Sequence, residues 1–161
     1  MALDAALKVV GQAQGAIRGS LRITDHEGEI RVSAIEHRLM TPRDIATGQP
    51  TGRRQHGEFT ITKELDPATP KLLQAWARNE TLTTWVLCLF GVDATGRTLV
   101  AYTVELQDAA VSKVDLVLPS TFDPANAHVP AHERVAFVYR AISWTWAGGA
   151  ITATDNWAET T

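Results

Sequence analysis

From Phe59 onward apolar and polar side chains alternate, with Phe59, Ile61 and Leu65 on one parity and Thr60, Thr62 and Glu64 on the other. That is the pattern of a strand with one buried face, interrupted on its apolar side by Lys63. Asp66-Pro67 ends it, because Pro67 has no N–H for a ladder and disfavours helical dihedrals in the residue before it. Thr69 and Pro70 then read as an N-cap and first-turn pair, which predicts a helix starting near Pro70. Leu72, Leu73, Trp76 and Ala77 fall at i, i+1, i+4 and i+5 and predict one apolar stripe that needs a sheet to cover. Burying Leu72, Leu73 and Trp76 would contribute roughly 1.5–3 kcal/mol each, enough to hold a ten-residue helix that is marginal alone. Phe59, Ile61, Leu72, Leu73 and Trp76 are thus the predicted core of this unit.

Residues 5–10 are a predicted first strand, followed by a loop over 11–15 and a second extended piece, AIRGSLRIT. Asp25-His26-Glu27-Gly28 is turn chemistry. In 29–39, Ile30, Val32 and Ala34 alternate with Arg31 and Ser33, until Ile35 breaks the parity and predicts a bulge or an early strand end. The next stretch, Thr41, Pro42, Arg43, Asp44, Ile45, Ala46, Thr47, Gly48, Gln49, Pro50, Thr51, Gly52, Arg53 and Arg54, has no periodicity. A loop of this length is either a partner contact or a plain mobile loop.

Residues 81–90 are apolar on both faces, with Trp85, Leu87 and Leu89 on one and Val86, Cys88 and Phe90 on the other, which predicts a central strand or one covered by another subunit. Asp93-Ala94-Thr95-Gly96 predicts a hairpin turn into 99–106, where Val100, Tyr102, Val104 and Leu106 face inward. A strand over 111–118, an irregular segment over 119–130, a long late strand VAFVYRAISWTW and a turn at Gly148-Gly149 into AITAT complete the chain. Strands at this spacing with one helix predict an antiparallel β-sandwich or barrel with a flanking helix.

At 161 residues the chain is read as one domain, 1–161. Its net charge of −3 argues against a nucleic-acid surface, and the locally basic Arg53-Arg54 pair reads as solvated. Asp4 and Lys8 break any signal-peptide core, and no apolar run reaches the roughly 18 residues of a membrane span, so synthesis in the cytoplasm without a cleaved signal or membrane insertion is expected. Cys88 is the one cysteine, read as a small hydrophobe.

No catalytic constellation is visible in the sequence, and no cofactor, metal or enzyme activity is expected. His26, His37, His56, His128 and His132 have no partner at convincing spacing, and Pro130 between the last two rules out a helical zinc pair. Trp144, Trp146 and Trp157 could form an aromatic platform, though core and interface positions are the commoner role.

Three motif groups in order carry a resemblance. Phe59, Lys63, Asp66, Thr69-Pro70 and Leu72 make the first; Glu105-Leu106 with Ala110-Val111-Ser112-Lys113-Val114 the second; Glu133, Phe137, Tyr139, Ile142, Trp144 and Trp146 the third. With GSLRITDHEGEIRVSAIEHRL and the ending GGAITATDNW, the chain from about Leu3 to Trp157 resembles the haemolysin-coregulated protein (Hcp) family, the tube component of the bacterial type VI secretion system. Trp146 stands where the family often has Tyr, and 11–15 is less acidic than in many members.

The resemblance implies a compact β-barrel with a side helix that forms homo-hexameric rings stacking into a tube. A contractile sheath would drive that tube, tipped by a spike protein, out of the cell, with effector proteins carried in the lumen. The 41–54 loop is long enough to reach a neighbouring ring. Two other readings stay open on the residues alone: a monomeric β-barrel binding a small ligand, against which large interior side chains speak, and a hydrolase with an unseen site.

Overall fold

The computed structural model describes residues 3–157. In chain order the elements are β1 (Ala5–Gly11), β2 (Gly15–Ile17), β3 (Ile30–Val32), β4 (Ala34–Glu36), β5 (Leu39–Met40), β6 (Gln55–His56), β7 (Phe59–Glu64) and α1 (Ala68–Ala77). There follow β8 (Leu82–Val92), β9 (Thr98–Gln107), β10 (Ala110–Val117), a short 3-10 turn at Pro124–Asn126, β11 (His132–Val138), β12 (Ala141–Trp146) and β13 (Ile151–Asn156).

Two antiparallel sheets face each other across the core. The larger runs β13-β12-β9-β8-β1-β2 with β3 also on β1, the smaller β10-β11-β7-β4, and β5 and β6 form a separate two-stranded ribbon. The expected antiparallel sandwich or barrel with a side helix is the observed fold, and β8 is central as its two apolar faces predict. Phe59 and Phe137 meet Trp85 edge-on at 5.0 and 5.4 Å between ring centres, filling the space between the sheets.

The chain changes sheet at tight corners, and these account for two differences from the expected strands. Val32 pairs in the larger sheet and Ala34 in the smaller, with the Ser33 N–H donating to the Thr62 carbonyl between them, so the parity break at Ile35 marks a change of sheet. The long late strand is likewise two: β11 belongs to the smaller sheet and β12 to the larger, with Tyr139 and Arg140 at the bend.

The helix departs from expectation in its start and in its buried face. It begins at Ala68, where Asp66 Oδ1 accepts from the Ala68 N–H at 2.9 Å, and Thr69 lies inside the first turn, not at the N-cap. The buried residues are Ala68, Leu72 and Ala75, at i, i+4 and i+7, while Leu73 is 42% and Trp76 52% exposed and Ala77 is exposed too. Leu73 and Trp76 are therefore not core residues of this chain. The two alanines let the helix backbone lie close against β10 and β2, which turns the larger side chains to its flank.

A buried polar knot fixes that position. Lys63, the interruption in β7, is fully buried; its ammonium donates to Glu133 Oε1 at 2.7 Å, Thr69 Oγ1 at 3.0 Å and the Glu64 carbonyl at 2.9 Å, and it forms an ion pair with Asp66 Oδ1 at 2.9 Å. Thr69 Oγ1 donates in turn to Glu133 at 3.0 Å. The helix N-terminus is thus tied to β7 and β11. At the other end Glu80 Oε2 accepts the N–H groups of Ala13 and Gln14, and a Cβ on Gly11 would lie 2.0 Å from that oxygen, so a side chain there would push the carboxylate off the turn.

Candidate functional site: the loop ribbon and the hydrogen-bond line at its foot

The 41–54 segment is an ordered extension of the ribbon and not a structureless loop. Pro50 bridges Arg43, the Thr51 N–H donates to the Pro42 carbonyl, and Asp44 and Gln49 close the turn through Asp44 N–H to Gln49 carbonyl at 2.8 Å. Asp44 Oδ1 accepts from the N–H groups of Ala46 and Thr47, and Gly48 takes the positive φ of +72° that the turn needs. The Thr47 and Ala46 N–H groups hold the Asp44 carboxyl below the usual carboxylate range. Ile45, at the tip, is fully exposed.

At the foot of this ribbon four distant segments converge. Arg54 grips Asp155 of β13 through Nε to Oδ2 at 2.7 Å and Nη2 to Oδ1 at 2.8 Å, and also donates to the Asn156 carbonyl. Arg54 is accordingly pinned, where the sequence suggested a solvated residue. The 26% exposed Asp155 side chain also meets His56 Nε2 at 2.7 Å. Beyond His56, its Nδ1 lies 2.7 Å from the Tyr139 hydroxyl, and that hydroxyl lies 2.8 Å from His37 Nε2. His37 packs on Phe59, and Trp157 leans over His56 while donating its indole N–H to the Tyr139 carbonyl.

Electrostatics follow from this line. Arg54, helped by His56 and opposed by burial, holds Asp155 below the usual carboxylate range. Burial, with the Asp155 charge beside it, raises Tyr139 above the ordinary phenol value. Burial and then the charge of His56 lower His37 from the ordinary imidazole value. Asp155 and His56 have the pairing of an acid–base dyad, yet the oxygen beyond them is a 5% exposed phenol that is harder, not easier, to ionise. Cys88 offers no alternative nucleophile, because burial and the nearby Glu29 charge raise its thiol.

The other histidines are scattered: His26 pairs with Glu29 at 2.7 Å and His132 faces the Pro130 carbonyl. Among the described residues no three His, Cys, Asp or Glu side chains converge in a metal-holding group. Trp144 packs at the core rim, whereas Trp146 and Trp157 are about half exposed. His37 and His56 do have partners that sequence spacing hid, since Tyr139 lies 102 and 83 residues away.

By its architecture the chain is a two-sheet antiparallel sandwich or barrel with a side helix, a projecting ribbon and an interior filled by aromatic side chains. A family model described as "Type VI secretion system effector, Hcp" matches residues 7–146, and the chain belongs to that family, the secreted tube component of the type VI secretion system. The chain is 34% identical over 166 residues to the "Major exported protein" of Pseudomonas aeruginosa PAO1, covering 98% of this chain and 96% of the relative. Solved structures agree. Hcp1 from the EAEC 042 pathovar of E. coli is 31% identical with a TM-score of 0.84 over 97% of this chain and 99% of that one. Another Hcp crystal structure, 26% identical, has a TM-score of 0.89 over 98% and 99%. The secreted protein Hcp3 of P. aeruginosa, also 26% identical, has a TM-score of 0.78 over 96% and 97%. The small-ligand barrel finds no support: its interior is occupied by Trp85, Phe59 and Phe137.

Proposed function

We propose that the chain acts as one domain over 1–161 and forms hexameric rings that stack into the inner tube, with a lumen that carries effector proteins inside a contractile sheath tipped by a spike. It is made in the cytoplasm, leaves through the type VI system without a cleaved signal peptide, and works by assembly and not by catalysis, using no cofactor. The observation that carries this reading is full-length similarity to a relative named for its export. Exposed Leu73, Trp76 and Leu116 support it, being large apolar side chains that an assembly would cover. The 41–54 hairpin, with Ile45 at its tip, is the ring-stacking element in this reading.

Light scattering with negative-stain images tests assembly. Six copies of the 17.5 kDa chain give about 105 kDa and rings with an open centre. A 17.5 kDa particle at high concentration overturns the reading. Deleting residues 46–49 should keep rings and weaken stacking; rings that fall apart would make the hairpin an element of the ring itself.

A further inference from the structure

Tyr139 owns one hydroxyl proton and stands between two imidazole nitrogens, His56 Nδ1 and His37 Nε2, at 2.7 and 2.8 Å. A phenol donates one hydrogen bond, and ionised Asp155 can only accept, so His56 Nε2 holds a proton facing it. With both rings neutral the order is consistent: His37 Nε2–H donates to the Tyr139 oxygen, the Tyr139 O–H to His56 Nδ1, and His56 Nε2–H to Asp155. One added proton also fits. If His56 takes it at Nδ1, that N–H donates to the Tyr139 oxygen, the hydroxyl turns to His37 Nε2, and His37 keeps its single proton on Nδ1, where the Gly57 carbonyl accepts it.

A second added proton does not fit. Both rings then point N–H groups at the same oxygen, and the Tyr139 O–H loses its acceptor in a site only 5% exposed. Two imidazolium rings and the Arg54 guanidinium would also share one carboxylate, Asp155. The other charges nearby offer little relief. Glu36 and Arg38 beside His37, and Glu58 beyond His56, are exposed to water, and Arg140, next to Tyr139, is paired with Asp108. Phe59 and Trp157 present ring faces to the two imidazoles.

We propose that the Asp155–His56–Tyr139–His37 line is an acid-opened latch, closed with at most one imidazolium and opened when both rings are protonated. The segments it joins are the end of β4, the ribbon strand β6, the β11–β12 bend and the C-terminal strand β13. Opening frees the ribbon strand β6, and the 41–54 hairpin it carries, from Tyr139 and from the Asp155 anchor that Arg54 shares, while β13 stays paired with β12 along its length. The lowered value of His37 agrees in direction, since the closed fold resists the proton that would open it. That opening would also loosen ring stacking rests on the tube reading; the latch itself does not.

Amide hydrogen exchange on the intact protein tests it, with β7 and β11 as internal references. After correction for intrinsic rates, protection in the β5–β6 ribbon should fall about tenfold or more between roughly pH 7.5 and pH 5, while β7 and β11 hold theirs. In His37→Gln, which keeps a polar partner for the hydroxyl but cannot take the second proton, the acid loss should disappear. Unchanged protection in the native protein, or an equal loss in His37→Gln, overturns the latch. If His37→Gln fails to fold, Tyr139→Phe carries the same test, because without the shared oxygen the acid loss must shrink. Either result leaves ring mass and stacking standing as separate tests of the tube reading.

Discussion

The protein contains two polar clusters that each staple strands from different parts of the chain, and they differ in chemistry. The knot of Lys63, Glu133, Asp66 and Thr69 is dry, with Lys63 and Glu133 at 0% and 1% exposure, and it matches an ammonium to carboxylates with no imidazole. The line of Asp155, His56, Tyr139 and His37 sits at the edge of the body, with Asp155 in reach of water, and two of its four members are imidazoles. The first fixes the helix permanently on the sheets. The second holds the ribbon only while its proton count allows. Charge matching with few alternatives makes a fixed joint, whereas a hydroxyl shared by two titratable rings makes an adjustable one.

The largest expected effect tests the knot. Lys63→Met leaves two buried carboxylates without their cation and should cost about 3–5 kcal/mol in chemical denaturation. A loss below about 1 kcal/mol would mean that water reaches the cluster and that the contrast with the ribbon line is one of degree. The helix face that the knot sets comes next. Leu72→Ala should cost about 2–5 kcal/mol, whereas Trp76→Ala, removing a side chain 52% exposed, should cost far less in a dissociated subunit. Equal costs would show that the helix sits rotated from this position.

At the ribbon line, Tyr139→Phe should cost about 1–3 kcal/mol, because the imidazoles lose their shared partner in a buried site. Stability should also depend on acidity there. Since the folded-state value of His37 is lowered, the folded chain binds fewer protons at that ring than the unfolded chain. This contribution is present above about pH 6.5 and is lost as pH falls through the folded value. Denaturation midpoints that stay flat through that window in the native protein would remove the distinction between the two clusters. The smallest effect belongs to the hairpin tip: Asp44→Ala should speed amide exchange at Ala46 and Thr47 without changing global stability.

Legibility in the sequence followed the range of each interaction. Phe59 and Ile61 were readable as core because strand parity is local, and the Asp93–Gly96 turn because its chemistry lies within four residues. Leu73 and Trp76 misled because a stripe drawn from large apolar residues passes over alanine, and Ala68 and Ala75 define the contact face. Lys63 looked like a flaw in a strand, since its partner Glu133 is 70 residues away. The 41–54 loop was visible as a long exposed segment, but the hydrogen bonds of Asp44 that order it were not anticipated.

The alternation that makes strands, the two-faced β8, the presence of a helix and the ordered motifs that mark the family are legible along the chain. These rest on period, turn chemistry and order along the chain, which survive in one dimension. The points where strands change sheet, the buried face of the helix and the alignment of His37, His56, Tyr139 and Asp155 emerge only when the chain is folded. Those depend on contacts between residues roughly 30 to 100 positions apart, whose geometry is set by how the two sheets close over Trp85.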